Sequence, residues 1–319
     1  MSNSKLRVLI DCDPGHDDVF AIGVAARHCE IAGITSVAGN SPIENTTRNA
    51  CIARELFGLS QVPVHQGADG PLDGSPGSFS FDAHGRTGLD GPAPRTPARG
   101  VDGIDAVSFL VETVRANEGI WIAAIGPLTN IALALRAAPD LARRVAGISI
   151  MGGSLSFGNV TAAAEFNVWF DPEAADEVFR SGAPLRMCGL DLTHQITGDG
   201  VFRDALLAAE SDAGRFCGEL MAYYHAFSAR LGGVQGVEAD RMGAPLHDPC
   251  AILAIAFPDE FETTPRHVQV ECVGAHTRGM TLADERPWMT SVDANVDVVT
   301  RALGPVKSVA TILNALLAF

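Results

Sequence analysis

The chain has 319 residues, a formal net charge of −15, 47% hydrophobic residues and 19% charged ones. That length can bury a sizeable core, and the composition is globular rather than disordered. The acidic balance disfavours a nucleic acid polymer as partner, and no apolar run reaches the 18 residues that would suggest a membrane span.

The segment 1–10 holds too short an apolar run for a secretory leader, and charge follows at once at Asp11. Seven scattered cysteines form no C-x-x-C pair and give neither a zinc spacing nor a disulfide framework. These features predict buried thiols and a cytoplasmic protein.

In chain order, 7–10 reads as a short strand running into a polar turn over 11–18. A helix follows, with Val19, Ile22 and Ala26 on one face. A strand over 31–38 ends at Gly39-Asn40; a helix over 46–59 and a short strand over 62–64 come next. The Gly- and Pro-rich stretch 70–100 has no periodicity and reads as a long loop. Alternation resumes with a helix over 106–116, a strand over 120–125, a helix over 128–138 stopped by Pro139, a strand over 147–151, a helix over 172–180 and a strand over 185–188. A long helix over 213–231 leads into a glycine-rich, mobile segment, 232–245. A helix over 249–256, two or three further strands and a last helix over 306–317 complete the chain. This alternation predicts a doubly wound, mostly parallel sheet with helices on both faces, and one domain over 1–319. Ligands of such sheets bind at the carboxyl ends of the strands. That directs attention to 13–18, Gly39-Asn40, Gly126-Pro127, Gly152-Gly153 and 189–191.

The strongest local signal is Asp11-Cys12-Asp13-Pro14-Gly15-His16-Asp17-Asp18, four carboxylates within eight residues at the end of the first strand. Hard cations such as Ca²⁺ and Mg²⁺ take several carboxylate oxygens, and a turn at Pro14-Gly15 can fold Asp17 and Asp18 back towards Asp13. A solvated acidic turn, with Asp17 near a helix N-terminus, accounts for any one of these residues equally well. The spacing is not that of an EF-hand, and neither G-x-G-x-x-G nor a P-loop is present. D-x-D after a first strand also suggests haloacid-dehalogenase phosphatases, but Pro14-Gly15 stands where their Thr or Val would come.

This octapeptide resembles the N-terminal signature of the inosine–uridine-preferring nucleoside hydrolases. Matching segments recur in order along nearly the whole chain: Val37-Ala38-Gly39-Asn40, Gly126-Pro127-Leu128-Thr129-Asn130, Met151-Gly152-Gly153, Ala164-Glu165-Phe166-Asn167 and Pro245-Leu246-His247-Asp248-Pro249. The resemblance implies hydrolysis of the N-glycosidic bond of ribonucleosides by a metal-activated water. It implies a Ca²⁺ held by Asp13, Asp18, Asp248 and the Ile125 carbonyl. Residue 125 is often Thr in relatives, and a carbonyl ligand tolerates Ile. Asp17, Asn40, Asn159, Glu165, Phe166 and Asn167, with Met151 alongside, would form the substrate pocket. Asp13 would be the general base. His247 would protonate the leaving base, on the premise that a histidine titrates near neutrality. His84 ranks below it, and Tyr223, Tyr224 and His225 could stack on the base or pack in the core. Relatives suggest a homodimer or homotetramer.

Local readings compete for several of these residues. Asp248-Pro249 and Asp171-Pro172 both look like an N-cap followed by Pro at the first helical position. The cap reading is adopted for Asp171. Glu165 and Asn167, two apart, would share one side of an extended segment. Two other functions stay open: a metal-dependent phosphohydrolase of the haloacid-dehalogenase type, which needs a cationic clamp, and a non-catalytic nucleoside-binding protein.

Overall fold

The computed structural model describes residues 5–286, 288 and 293–319. Six strands succeed one another along the chain: β1 (Arg7–Cys12), β2 (Glu30–Ser36), β3 (Val64–Gln66), β4 (Trp121–Ala124), β5 (Gly147–Met151) and β6 (Leu185–Cys188). They lie side by side, all parallel, in the order β3-β2-β1-β4-β5-β6. Val296–Ala302 adds a parallel strand beyond β6, and Phe261–Arg266 closes that edge antiparallel. The predicted doubly wound sheet is thus present.

β1 shows why these segments are strands. Val8, Ile10 and Cys12 enter one apolar cluster, and Leu9 enters the other, so the strand is buried on both faces. Strands of this kind read as continuous apolar runs rather than alternating ones. Successive strands step away from β1 in opposite directions: β2 and β3 to one side, β4 to β6 to the other. The crevice at the carboxyl ends of β1 and β4 is therefore the topological switch point, where open α/β sheets bind ligands.

Several boundaries differ from the sequence reading. β1 runs on through Asp11 and Cys12, because the Asp11 carboxylate finds buried partners inside the fold: Thr35 Oγ1 donates at 2.5 Å and Asn130 Nδ2 at 2.8 Å. The following helix begins at His16 and takes in Asp17 and Asp18. The loop over 70–100 contains a one-turn helix, Phe81–His84. The glycine-rich segment contains a short helix, Val237–Met242, between Gly236 (φ 58°) and Gly243 (φ 70°). Four strands, not two or three, follow Ala256 among the described residues. No helix among them is long and apolar enough to cross a membrane.

Candidate active site

The turn after β1 is closed by an acid. Asp18, in the first turn of helix His16–His28, accepts from the backbone N–H of Asp13 (3.2 Å) and Gly15 (2.9 Å). This pulls the helix start over the strand end. The helix His247–Ala256 packs against it and brings Asp248 in from 230 residues away. Asp17, Asp18 and Asp248 each offer a carboxylate oxygen, and these atoms lie within 4.8 Å of one another. All three side chains are buried, and Asp13 is fully so. Among the described residues no ion pair reaches any of the four.

Burial without a countercharge disfavours ionisation, and like charges add to it. Burial first, then Asp18, pushes Asp17 up to about 7; the N–H groups of His247 and Asp248 pull the other way. Burial raises Asp18 to about 6 against the pull of the Gly15 N–H and other donors. Asp13 and Asp248 rise well above the usual carboxylate range, again through burial and then their acidic neighbours. Asp248 caps nothing: its helix starts at His247 without a side-chain cap, so the N-cap reading fails there. Asp171 does cap its helix, accepting from Ala174 N.

Among the described residues two buried carboxylate oxygens lack a partner, Asp11 Oδ2 and, in the acid cluster, one oxygen of Asp13. Asp13 Oδ2 accepts from Asn40 N at 2.7 Å, while its Oδ1 is fully enclosed and has no hydrogen-bond partner. A buried carboxylate oxygen left so is costly unless something unseen satisfies it. Two glycines make room for this group. A Cβ on Gly39, after β2, would collide with Asp13 Oδ2, and one on Gly126, after β4, would stand 2.6 Å from Oδ1. The Ile125 carbonyl lies alongside, held by Asn167 Nδ2 at 3.1 Å. Oxygen donors only, several of them anionic and one of them orphaned, suit a hard divalent cation.

Above the acids opens a cavity of about 460 Å³. Its wall includes every residue predicted for substrate: Asp17, Asn40, His84, Met151, Asn159, Glu165, Phe166 and Asn167, together with Ile125, His247 and Asp248. Asp13 and Asp18 are absent from the lining. Among the described residues no Lys or Arg lines it, whereas a phosphohydrolase needs a cationic clamp.

The sequence reading got some local geometry wrong. Glu165 and Asn167 do not share an extended segment. Glu165 is the N-cap of a helix, Phe166–Phe170, and Asn167 sits in that helix's first turn. The Glu165 carboxylate accepts from Gly153 N (2.9 Å), Asn167 N (3.0 Å) and Val168 N (3.2 Å). Asn40 likewise turns its amide nitrogen inward, to Asp13 O and Asp18 Oδ2, both at 3.2 Å. Asn159 is exposed at the rim and accepts from Phe166 N.

Of the aromatic candidates, Tyr224 lines the cavity, while Tyr223 stacks on His16 with centroids 5.3 Å apart. His225 faces Arg203 instead. The sequence reading missed Phe227, Ser228 and Leu231, which with Tyr224 form an i, i+3, i+4, i+7 stripe on helix Asp212–Leu231. That spacing was legible, but it is equally the spacing of a core face.

His84 Nδ1 lies 2.9 Å from His16 Nδ1, and burial pushes His84 well below its ordinary value. His247 Nδ1 lies 2.8 Å from Thr193 Oγ1. Burial first, then neighbouring His194, pushes His247 down to about 3. That direction runs against the premise that His247 titrates near neutrality and favours the neutral ring.

Fold and site together define a metal-dependent hydrolase built on an open α/β sheet. The profile of the family described as inosine-uridine preferring nucleoside hydrolase matches residues 8–304. The chain is 40% identical over 282 residues to a pyrimidine-specific ribonucleoside hydrolase, RihA, of Citrobacter koseri, covering 88% of each. It superposes on a plant nucleoside hydrolase, PpNRh1, with a TM-score of 0.90 at 29% identity, covering 98% of this chain and 99% of that one. A purine-preferring ribonucleoside hydrolase from Gardnerella vaginalis gives a TM-score of 0.89 at 30% identity over the same shares. The chain belongs to the inosine-uridine preferring nucleoside hydrolase family and is an enzyme that cleaves the N-glycosidic bond of nucleosides.

Proposed function

We propose that the protein is a Ca²⁺-dependent ribonucleoside hydrolase with pyrimidine ribonucleosides as its foremost substrates. The observation that carries the metal is the meeting of Asp17, Asp18 and Asp248, with the orphaned Asp13 oxygen, under one cavity. The pyrimidine preference follows the RihA relatives.

Asp13, Asp18, Asp248 and the Ile125 carbonyl would hold the ion. When bound, a divalent cation neutralises these acids, grips vicinal ribose hydroxyls and makes water easier to deprotonate. Asp17 reaches the cavity wall from the acid cluster and accepts a hydrogen bond from a ribose hydroxyl. Asp13, cradled by Gly39 and Gly126, accepts a proton from the attacking water. Asn167, fixed by its bonds to Ile125 O and Met151 O, turns its carbonyl dipole towards a sugar that becomes oxocarbenium-like. Direct attack by water inverts the anomeric centre. Asn159 and Glu165 position the 5′-hydroxyl side, and His247 and His84 face the leaving base. Residues 1–319 act as one domain, and a homodimer or homotetramer belongs to the same reading.

A reducing-sugar assay over ribonucleosides, deoxynucleosides and nucleotides tests this. Activity should vanish in excess chelator and return with Ca²⁺, and metal analysis should find about one equivalent per chain. Full activity in chelator, or turnover of nucleotides alone, overturns the reading.

A further inference from the structure

Thr193 ends the short helix Leu190–Thr193 and is completely buried. Its backbone N–H bonds Gly189 O. Its hydroxyl makes one hydrogen bond among the described residues, the 2.8 Å contact with His247 Nδ1. A hydroxyl can donate or accept, but a buried one that does not donate leaves its proton unsatisfied, which is costly. Among the described residues the one partner of that hydroxyl is Nδ1. A ring nitrogen that accepts carries a lone pair, so the proton of the imidazole resides on Nε2. His247 Nε2 makes no hydrogen bond among the described residues, and the ring forms part of the cavity wall.

We propose that Thr193 is a positioning residue that locks His247 in the Nε2–H tautomer, so that the ring presents a hydrogen-bond donor to the departing base. This rests on the reading that His247 faces the leaving group. A neutral imidazole in this role polarises the leaving group rather than surrendering a full proton. In pyrimidine nucleosides the natural acceptor is the base carbonyl or ring nitrogen on which charge develops as the glycosidic bond breaks. Thr193 reaches no substrate itself, because the imidazole stands between it and the cavity. The neighbouring His194 ring is tilted against that of His247, with centroids 5.7 Å apart, and makes no hydrogen bond to Nδ1 among the described residues.

Long-range ¹H–¹⁵N spectra of the metal-loaded enzyme, labelled at histidine, distinguish a protonated ring nitrogen from one with a lone pair. The His247→Ala spectrum assigns the signals. Wild type and Thr193→Ser should show Nε2–H with a bare Nδ1, and a wild-type ring protonated on Nδ1 overturns the proposal even if no variant folds. Thr193→Val keeps the shape and removes the donor. It should lower kcat for uridine roughly 10- to 100-fold, a part of the 10²–10⁴ a positioned acid group supplies. KM should change by no more than about twofold. Hydrolysis of p-nitrophenyl riboside, whose phenolate leaves unaided, should scarcely change, and Thr193→Ser should restore uridine turnover. Equal loss on both substrates means Thr193 is only structural and overturns the proposal. The parent reading is judged separately: if His247→Ala itself hurts both substrates equally, His247 has no leaving-group role.

Discussion

Removing the cation should destabilise this protein more as the pH rises. Each buried carboxylate whose folded pKa is raised binds its proton more tightly in the folded state than in the unfolded one. Stability then falls as pH climbs from the unfolded pKa towards the folded one. Asp17 goes from 3.8 to about 7 and Asp18 from 3.8 to about 6. At about 1.4 kcal/mol per unit, full ionisation costs about 4 and about 3 kcal/mol respectively. The two belong to one cluster, so their costs do not simply add; Asp13 and Asp248, raised well above the usual range, act in the same direction. Part of that cost is present by pH 5, leaving about 4 kcal/mol to develop by pH 7.5. An unfolding entropy of about 2.1 cal/mol/K per residue converts this into about 6 °C of melting temperature for a chain of this size. The buried rings of His16 and His84 and the half-buried ring of His247 run the opposite way: pushed down by desolvation, they destabilise the fold as pH drops below their unfolded pKa. They act with or without cation and cancel in the difference. The measurement is therefore the gap in thermal midpoint between Ca²⁺-loaded and chelated protein at about pH 5 and about pH 7.5. A gap that widens by several degrees is expected. A gap of the same size at both pH values, or none at either, refutes the reasoning.

Asp13→Asn should place its carbonyl where Oδ2 meets Asn40 N and its NH₂ in the orphan position, costing activity at least the roughly 10²–10⁴-fold of a lost general base for every nucleoside. The same variant should melt higher than wild type in chelator, since one buried like charge is gone; an unchanged or lower midpoint contradicts this. Because Asp17 lines the cavity beside the acids, 2′-deoxyuridine should be poorer than uridine by about 10⁴-fold in kcat/KM, and near-equal values would remove the ribose grip. Arg54 is 2% exposed and bonds Asp102 Oδ2 (2.9 Å) and Gly100 O (2.8 Å). Arg54→Ala empties a buried site and takes the donor from the Gly100 carbonyl, while Asp102 keeps Arg99 and the Val64 N–H; it should cost about 2–4 kcal/mol in denaturant unfolding and leave KM for uridine unchanged.

The parts of the site legible in sequence are those fixed by strand ends. Asp13 directly follows β1, Asn40 comes four residues after β2, and Ile125 directly follows β4; a parallel sheet brings all three to one edge whatever the loops do. The alternation of apolar runs made that sheet readable. Tertiary partners decided what local pattern could not. Phe166-Asn167-Val168-Trp169-Phe170 has a strand-like composition, yet it is helical because the Glu165 carboxylate satisfies the N–H groups of Asn167 and Val168. Asp248-Pro249 and Asp171-Pro172 are alike in sequence, but only Asp171 caps. The helix carrying Asp248 instead begins two residues earlier, at His247, and packs on His16–His28, which turns its acid towards Asp18. Burial drove His247 away from neutral titration, and no sequence window reports burial of that kind.

Two helices start at this site. Asp17 and Asp18 occupy the first turn of His16–His28, and Asp248 occupies the first turn of His247–Ala256. The backbone N–H groups at the start of His247–Ala256 pull the Asp17 carboxyl down against its burial. Both positive helix ends therefore point into the acid cluster. A helix N-terminus supports a nearby anion by about 0.3–1 kcal/mol, and up to about 2 when partly buried. Two such ends offset only part of what four enclosed carboxylates cost, as Asp17 at about 7 and Asp18 at about 6 show with those donors already in place. The fold lowers the cost of gathering the acids without removing it. What remains is several kcal/mol of unmet negative charge at the switch point of the sheet, directly beneath a cavity that bears no Lys or Arg. On the proposed reading, that residual field would hold a divalent cation and repel a phosphorylated substrate, so metal affinity and preference for the uncharged nucleoside would arise from the same four side chains.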